Sequence, residues 1–234
     1  MSIRTGGGTR TSLPYNSFLK KELGRLVEFE STFARYRNFI KPGTWKETGE
    51  LGGGLTYNLG SHLIDQALVL FGMPESVYAD IAILRTDGMV DDYFIIRMNR
   101  PAQNPEVKIT LKASYLMCEP EPRFVLHGTD GSYVKQGVDK QEAALLEGQT
   151  PDQPHWGEET EAEWGILHKV TPEGKEVRTP YPGIPGNYGG FYENIFEHLR
   201  LGKPLLTDAR SVINGIRIIE AAFRSFREQR TVTL

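Results

Sequence analysis

The sequence holds a single cysteine, Cys118, so no internal disulfide framework can form and a reducing compartment is expected. No apolar run approaches the roughly 18 residues of a membrane span. Met1 to Arg10 lack the apolar core of a signal peptide. A cytoplasmic protein without membrane association is the resulting expectation. The net charge is −3, which offers no basic field to a nucleic acid. There is no internal repeat and no coiled-coil heptad. No GxGxxG run follows a strand, and Gly6-Gly7-Gly8 reads as flexible tail because no strand precedes it. His155, His168 and His198 form no spaced ligand set, so no metal is expected. No nucleophile elbow marks a Ser–His–Asp hydrolase.

What is present is concentrated in one run, Gly52-Gly53-Gly54-Leu55-Thr56-Tyr57-Asn58-Leu59-Gly60-Ser61-His62-Leu63-Ile64-Asp65. Three glycines open a helix that ends at Phe71-Gly72-Met73-Pro74, with Gly at the C-cap and Pro beyond. At about 100° per residue, Asn58, Ser61, His62, Asp65, Gln66 and Val69 share one arc, and nearly every apolar residue fills the rest. One wall of the helix packs on a core; the other faces a cleft or solvent.

Met1 to Ser12 read as disordered, with a short helix expected from Pro14 to Leu23. Arg25 to Arg37 is strand-like, with Val27, Phe29 and Phe33 on one face and Glu28, Glu30 and Thr32 on the other. Strands follow at Glu75–Arg85, Asp91–Asn99, Glu106–Cys118, Arg123–His127 and Ser132–Lys135, joined by short turns such as Thr86-Asp87-Gly88. The spacing predicts an antiparallel meander with one apolar and one polar face. The acidic stretch Asp139–Glu163 reads as a solvated excursion, Leu167–Val177 as a hairpin, and Pro180–Gly190 as a loop. Two helices close the chain, Phe191–Leu201 and Asp208–Glu228. The second is capped by Thr207 or Asp208, with Val212, Ile213, Ile216, Ile219, Ala222, Phe223 and Phe226 as its buried stripe.

The glycine–histidine run resembles the helix that opens the substrate side of Gfo/Idh/MocA oxidoreductases, the glucose–fructose oxidoreductase and inositol dehydrogenase family. Leu23-Gly24-Arg25-Leu26-Val27 resembles that family's entry strand into its second domain. Gly202-Lys203-Pro204 followed by Thr207-Asp208-Ala209-Arg210 resembles its closing helix pair. The resemblance implies a disordered tail over residues 1–13 and a C-terminal substrate domain over 14–234. The implied fold is α+β: a largely antiparallel, twisted sheet with helices packed on one face, as in the C-terminal domains of glyceraldehyde-3-phosphate dehydrogenase-like and dihydrodipicolinate reductase-like proteins. The family's N-terminal Rossmann domain and its Glu-Lys-Pro segment have no counterpart in the sequence. NAD or NADP is therefore expected in a full-length protein, and no cofactor on this chain alone.

By that resemblance His62 is the general acid/base, a role suited to a group that titrates near neutrality. Asn58 stands where the family often carries aspartate. An asparagine orients by hydrogen bonding and does not tune charge. Asn58 and Asp65 are expected to hold a sugar or polyol, and Gly53 and Gly54 to border the cofactor. Arg37 and Trp45, in the loop before the motif, suit a hydroxylated or acidic sugar through hydrogen bonds and ring stacking; Lys41 there is more simply an exposed charge. Tyr188 is a further substrate-side candidate. The plain readings are a surface histidine capped by Asp65 and a glycine-rich helix start. The polar sheet face, with Glu28, Glu30, Lys108, Thr110 and Lys112, is expected to join subunits into a homo-oligomer. The alternative is a non-catalytic sugar-binding or assembly module that works without a nucleotide domain.

Overall fold

The computed structural model describes residues 21–183, 186–207 and 209–234, with Arg210 and Ser211 described in their backbone alone. The tail expected over 1–13, most of the helix expected from Pro14, and the Asp208 cap lie outside the described residues.

Among the described residues, nine strands make one sheet. They are β1 (Leu26–Ala34), β2 (Ser76–Ala82), β3 (Tyr93–Asn99), β4 (Lys108–Ser114), β5 (Phe124–Gly128), β6 (Gly131–Lys135), β7 (Gly165–Val170), β8 (Glu176–Tyr181) and β9 (Val232–Thr233). The order is β8-β7-β6-β5-β1-β4-β3-β2-β9. The helices are α1 (Ser61–Phe71), α2 (Gln141–Leu146), α3 (Gly189–Leu201) and α4 (Ala209–Glu228). The architecture is α+β, as expected.

Strand alternation builds the core. Val77, Met98, Ile109, Phe29, Leu126, Tyr133 and Leu167 stand in register across seven strands, and all are buried. Two features differ from a simple meander. β1 lies between β4 and β5, parallel to β4 and antiparallel to β5. β1 therefore splits the meander, and α1, β2 and β3 form the crossover that a parallel pair needs. A register shift between Leu26 and Glu28 also turns Leu26 into the core, the place expected for Val27.

The helices cover one face unevenly. The second half of α4 lies on β2, burying Ile218, Ile219, Ala221 and Ala222. Buried Ser225 accepts the Ala79 N–H at 3.0 Å, satisfying a strand group beyond the reach of short β9. In the first half Val212, Ile213 and Ile216 are exposed, so the expected stripe is buried over half its length. α3 exposes Tyr192, Phe196 and Leu199 in the same way. The acidic excursion is tied down at its end, where buried Lys135 meets Glu159 at 2.7 Å and also donates to the Glu163 carbonyl.

Candidate functional site

A single π-helical turn, Thr56–Gly60, leads into α1, and such turns often mark functional sites. Its start is fixed by Asp91, in the connection between β2 and β3. The Asp91 carbonyl accepts the Leu55 N–H at 2.8 Å. Its carboxylate accepts the Thr56 N–H at 2.6 Å and the Thr56 hydroxyl at 2.7 Å. Gly54 has φ +87°, and a Cβ there would stand 2.1 Å from Asp91 Oδ1, so only glycine fits. The Gly53 N–H already donates to the Glu50 carbonyl at 3.0 Å. The N–H groups of Gly53, Leu55 and Thr56 at the helix start are thus taken within the chain. Asp91 supplies the negative charge that a helix N-terminus favours. Burial pushes its carboxyl above the usual range, against the pull of the Thr56 bonds.

Asn58 is held at both ends of its amide. Lys46 Nζ donates to Oδ1 at 3.1 Å, and Nδ2 donates to the Tyr115 hydroxyl at 3.4 Å. Two arginines lie over the Tyr115 ring, Arg37 at 5.6 Å from its centroid and Arg85 at 4.9 Å. Arg85 is locked by Glu47 at 2.8 Å and Asp92 at 3.0 Å. Trp45, in the short turn Trp45–Glu47, is exposed beside Gly52.

His62 is half-buried on the next turn. Burial lowers its pKa most, then Arg123, while Asp65 and Glu142 oppose and Arg35 adds to the lowering. The imidazole is therefore neutral at pH 7, as a proton acceptor must be. Arg123 lies over the Phe33 ring at 4.0 Å and the Phe124 ring at 4.3 Å. It donates to Ser31 and, at 2.9 Å, to Gln66 Oε1. Gln66 was placed on the open wall from its spacing; the Arg123 bond instead draws it inside. Burial brings the Arg123 pKa down to about 9, so it stays cationic at neutral pH. Tyr188 caps α3, its N–H bonded to Gln141 Oε1 at 3.0 Å, next to Glu142.

The fold thus brings Asn58 and Arg37 together through Tyr115, and His62 and Asp65 along one helix. Trp45 lies beside Gly52, and Tyr188 against α2 through Gln141. Sequence reasoning missed Lys46, Tyr115, Arg123 and Asp91. Each reaches the helix from a distant segment, a relation that local spacing does not carry. An open cleft of about 930 Å³ lies between the glycine loop and α4, lined by Gly52, Gly53, Tyr57, Glu220 and Arg217 among others. His62 and Asn58 are not part of it. Among the described residues no group of His, Cys, Asp and Glu is placed to hold a metal ion, and no helix is long and apolar enough to cross a membrane.

The fold has counterparts among known proteins. A crystal structure from Bacteroides fragilis is 63% identical, with a TM-score of 0.83, covering 95% of this chain and 62% of that one. An oxidoreductase from Bacillus cereus is 30% identical, with a TM-score of 0.78, covering 95% of this chain and 72% of that one. The NADP(+) scyllo-inositol 2-dehydrogenase of Bacillus subtilis is 35% identical over 206 residues, 88% of this chain and 56% of that protein. The chain spans 56–61% of the curated relatives it matches. The family model for the C-terminal alpha/beta domain of oxidoreductases matches residues 19–234, and the chain belongs to the Gfo/Idh/MocA oxidoreductase family as that domain.

Proposed function

We propose that this chain is the substrate-binding and acid/base half of an NAD(P)-dependent oxidoreductase acting on a sugar, polyol or related hydroxylated small molecule. The observation that carries the reading is His62: a half-buried imidazole, its pKa lowered by burial, one turn beyond an amide whose orientation is fixed by Lys46 and Tyr115. In this reading Asn58 holds a substrate hydroxyl. His62 Nδ1 or Nε2 takes the proton of the reacting hydroxyl as its carbon is oxidised, and returns it in the reverse direction. A bound nicotinamide supplies the hydride acceptor. The Gly53, Leu55 and Thr56 amides of the glycine start are already bonded within the chain, which supports placing the pyrophosphate elsewhere. The nucleotide is accordingly assigned to the part of the relatives' length that this chain does not span, with Gly53 and Gly54 bordering its nicotinamide end. The exposed apolar faces of α3 and the first half of α4 fit the docking of such a domain. Asp65, Arg37, Trp45 and Tyr188 complete the substrate side. The protein is proposed to be cytoplasmic, and a homo-oligomer through the polar sheet face.

The test is NAD+ and NADP+ reduction by the full-length protein over a panel of sugars, polyols and their acids. Turnover with any of them supports the reading. Nucleotide binding without turnover on the whole panel, or micromolar nicotinamide binding by the isolated chain, contradicts it.

A further inference from the structure

The charges around Asn58 and His62 are unevenly matched. Arg85 and Arg37 share the Tyr115 ring. Arg85 has two carboxylates on it, Glu47 and Asp92. Arg37 has no carboxylate within 4 Å among the described residues, and neither do Arg35, Lys46 and Arg123. The acids nearby are engaged elsewhere. Asp91 is spent on Thr56, and Glu47 and Asp92 on Arg85. Asp65 on α1 and Glu142 on α2 act on His62, and no ion pair among the described residues joins either of them to these four cations. Asn58, which Lys46 touches, adds an amide and no negative charge.

Arg123 sharpens the point. It is 4% exposed, and its bonds go to a hydroxyl, a backbone carbonyl and an amide, all neutral. A guanidinium buried without a counter-charge is costly. The cost is explicable if its field is used, and the imidazole on which that field acts is His62. Lys46 bonds one end of the Asn58 amide, and Arg37 lies over the ring of Tyr115, which bonds the other end. Guanidinium groups in such a place bind carboxylate or phosphate through paired hydrogen bonds.

Resting on the reading of this site as the substrate half of an oxidoreductase, we infer that its substrate is anionic: a polyhydroxylated compound carrying a carboxylate or phosphate, whose charge is met by Arg37 and Lys46. The reacting hydroxyl lies at His62 and the anionic end toward the Arg37–Tyr115–Lys46 corner, with Arg123 as fixed background charge.

The experiment compares matched substrates on the full-length protein with NAD+ and NADP+: glucose against gluconate and glucuronate for a carboxylate, and glucose 6-phosphate for a phosphate. The expected result is a kcat/KM at least about tenfold higher for one of the anions than for glucose, with the preferred anion naming the source. Arg37→Met and Lys46→Met each remove most of that preference by raising KM for the anion, and leave KM for the nucleotide unchanged. Equal or better turnover of glucose overturns the anionic class and leaves the oxidoreductase reading intact. A rise in KM for the nucleotide in either variant overturns it too, by giving these cations to the cofactor. Nucleotide reduction with none of the four, nor with any neutral polyol, overturns the parent reading.

Discussion

The helix layer has a paired part and an unpaired part, which meet at the Tyr115 ring that Arg85 and Arg37 share. In one, where α4 meets β2 and the Asp91–Asp92 connection meets the glycine start, the described groups are paired. Ile219 is fully buried, Arg85 carries two carboxylates, and Asp91 caps the helix. In the other, Ile213 on the same helix is 54% exposed, α3 shows aromatic residues to solvent, and Arg35, Arg37 and Lys46 lack carboxylate partners among the described residues. Apolar surface of this kind marks a contact region, and unmatched cations mark a charged ligand. The paired side holds the fold, and the unpaired side is where substrate and the rest of the protein are proposed to bind.

The largest effect should come from breaking the paired side. Arg85→Met leaves Asp92, with no exposed side chain, as a buried carboxylate without its counter-charge, held only by the N–H groups of residues 84 and 85, at about 3–5 kcal/mol by denaturant unfolding. The same change at Arg37 should cost less than about 0.5 kcal/mol; equal costs would erase the contrast. Next is the α4 pair. Ile219→Ala should cost about 2–5 kcal/mol, and Ile213→Ala less than about 0.5 kcal/mol in this chain. A large loss at Ile213 would show that its face is covered within the chain itself.

The smallest effect is in pH. The His62 pKa is lowered in the folded state by burial, then by Arg123. The unfolded chain therefore takes up a proton near the ordinary histidine value of about 6.5 that the folded chain resists. The His62 contribution is whole above that pH and is lost as pH falls toward the lowered value. His62→Gln should flatten the fall of stability below pH 6.5 in urea titrations at stepped pH. An unchanged slope would mean that the imidazole is not held neutral by its surroundings.

The sequence made the alternation of β4 legible, because Val107, Ile109, Leu111, Ala113 and Tyr115 all face the core. It also placed Asn58, His62 and Asp65 on one helix, and Gly72 at its end, where φ is +73° and the N–H bonds to Leu68. The central seat of β1 was not legible, since strand order is set by the sheet as a whole and not by any strand's own pattern. The stripe on α4 was read correctly as apolar, but apolar periodicity does not say what covers it. Gln66 was misplaced because one arginine, 57 residues away, bonds it and draws it inside. Gly54 was read as a border of the cofactor; its backbone requirement, set by Asp91, became visible once two distant loops were seen to meet.

The central claim is that His62 moves the proton in a reaction whose substrate half is this chain. The most direct test is steady-state oxidation by the full-length protein carrying His62→Asn, measured on the best substrate of the panel. The prediction is a fall in kcat of about 10²–10⁴-fold, with KM within about threefold of the unaltered protein. An unchanged kcat would contradict it.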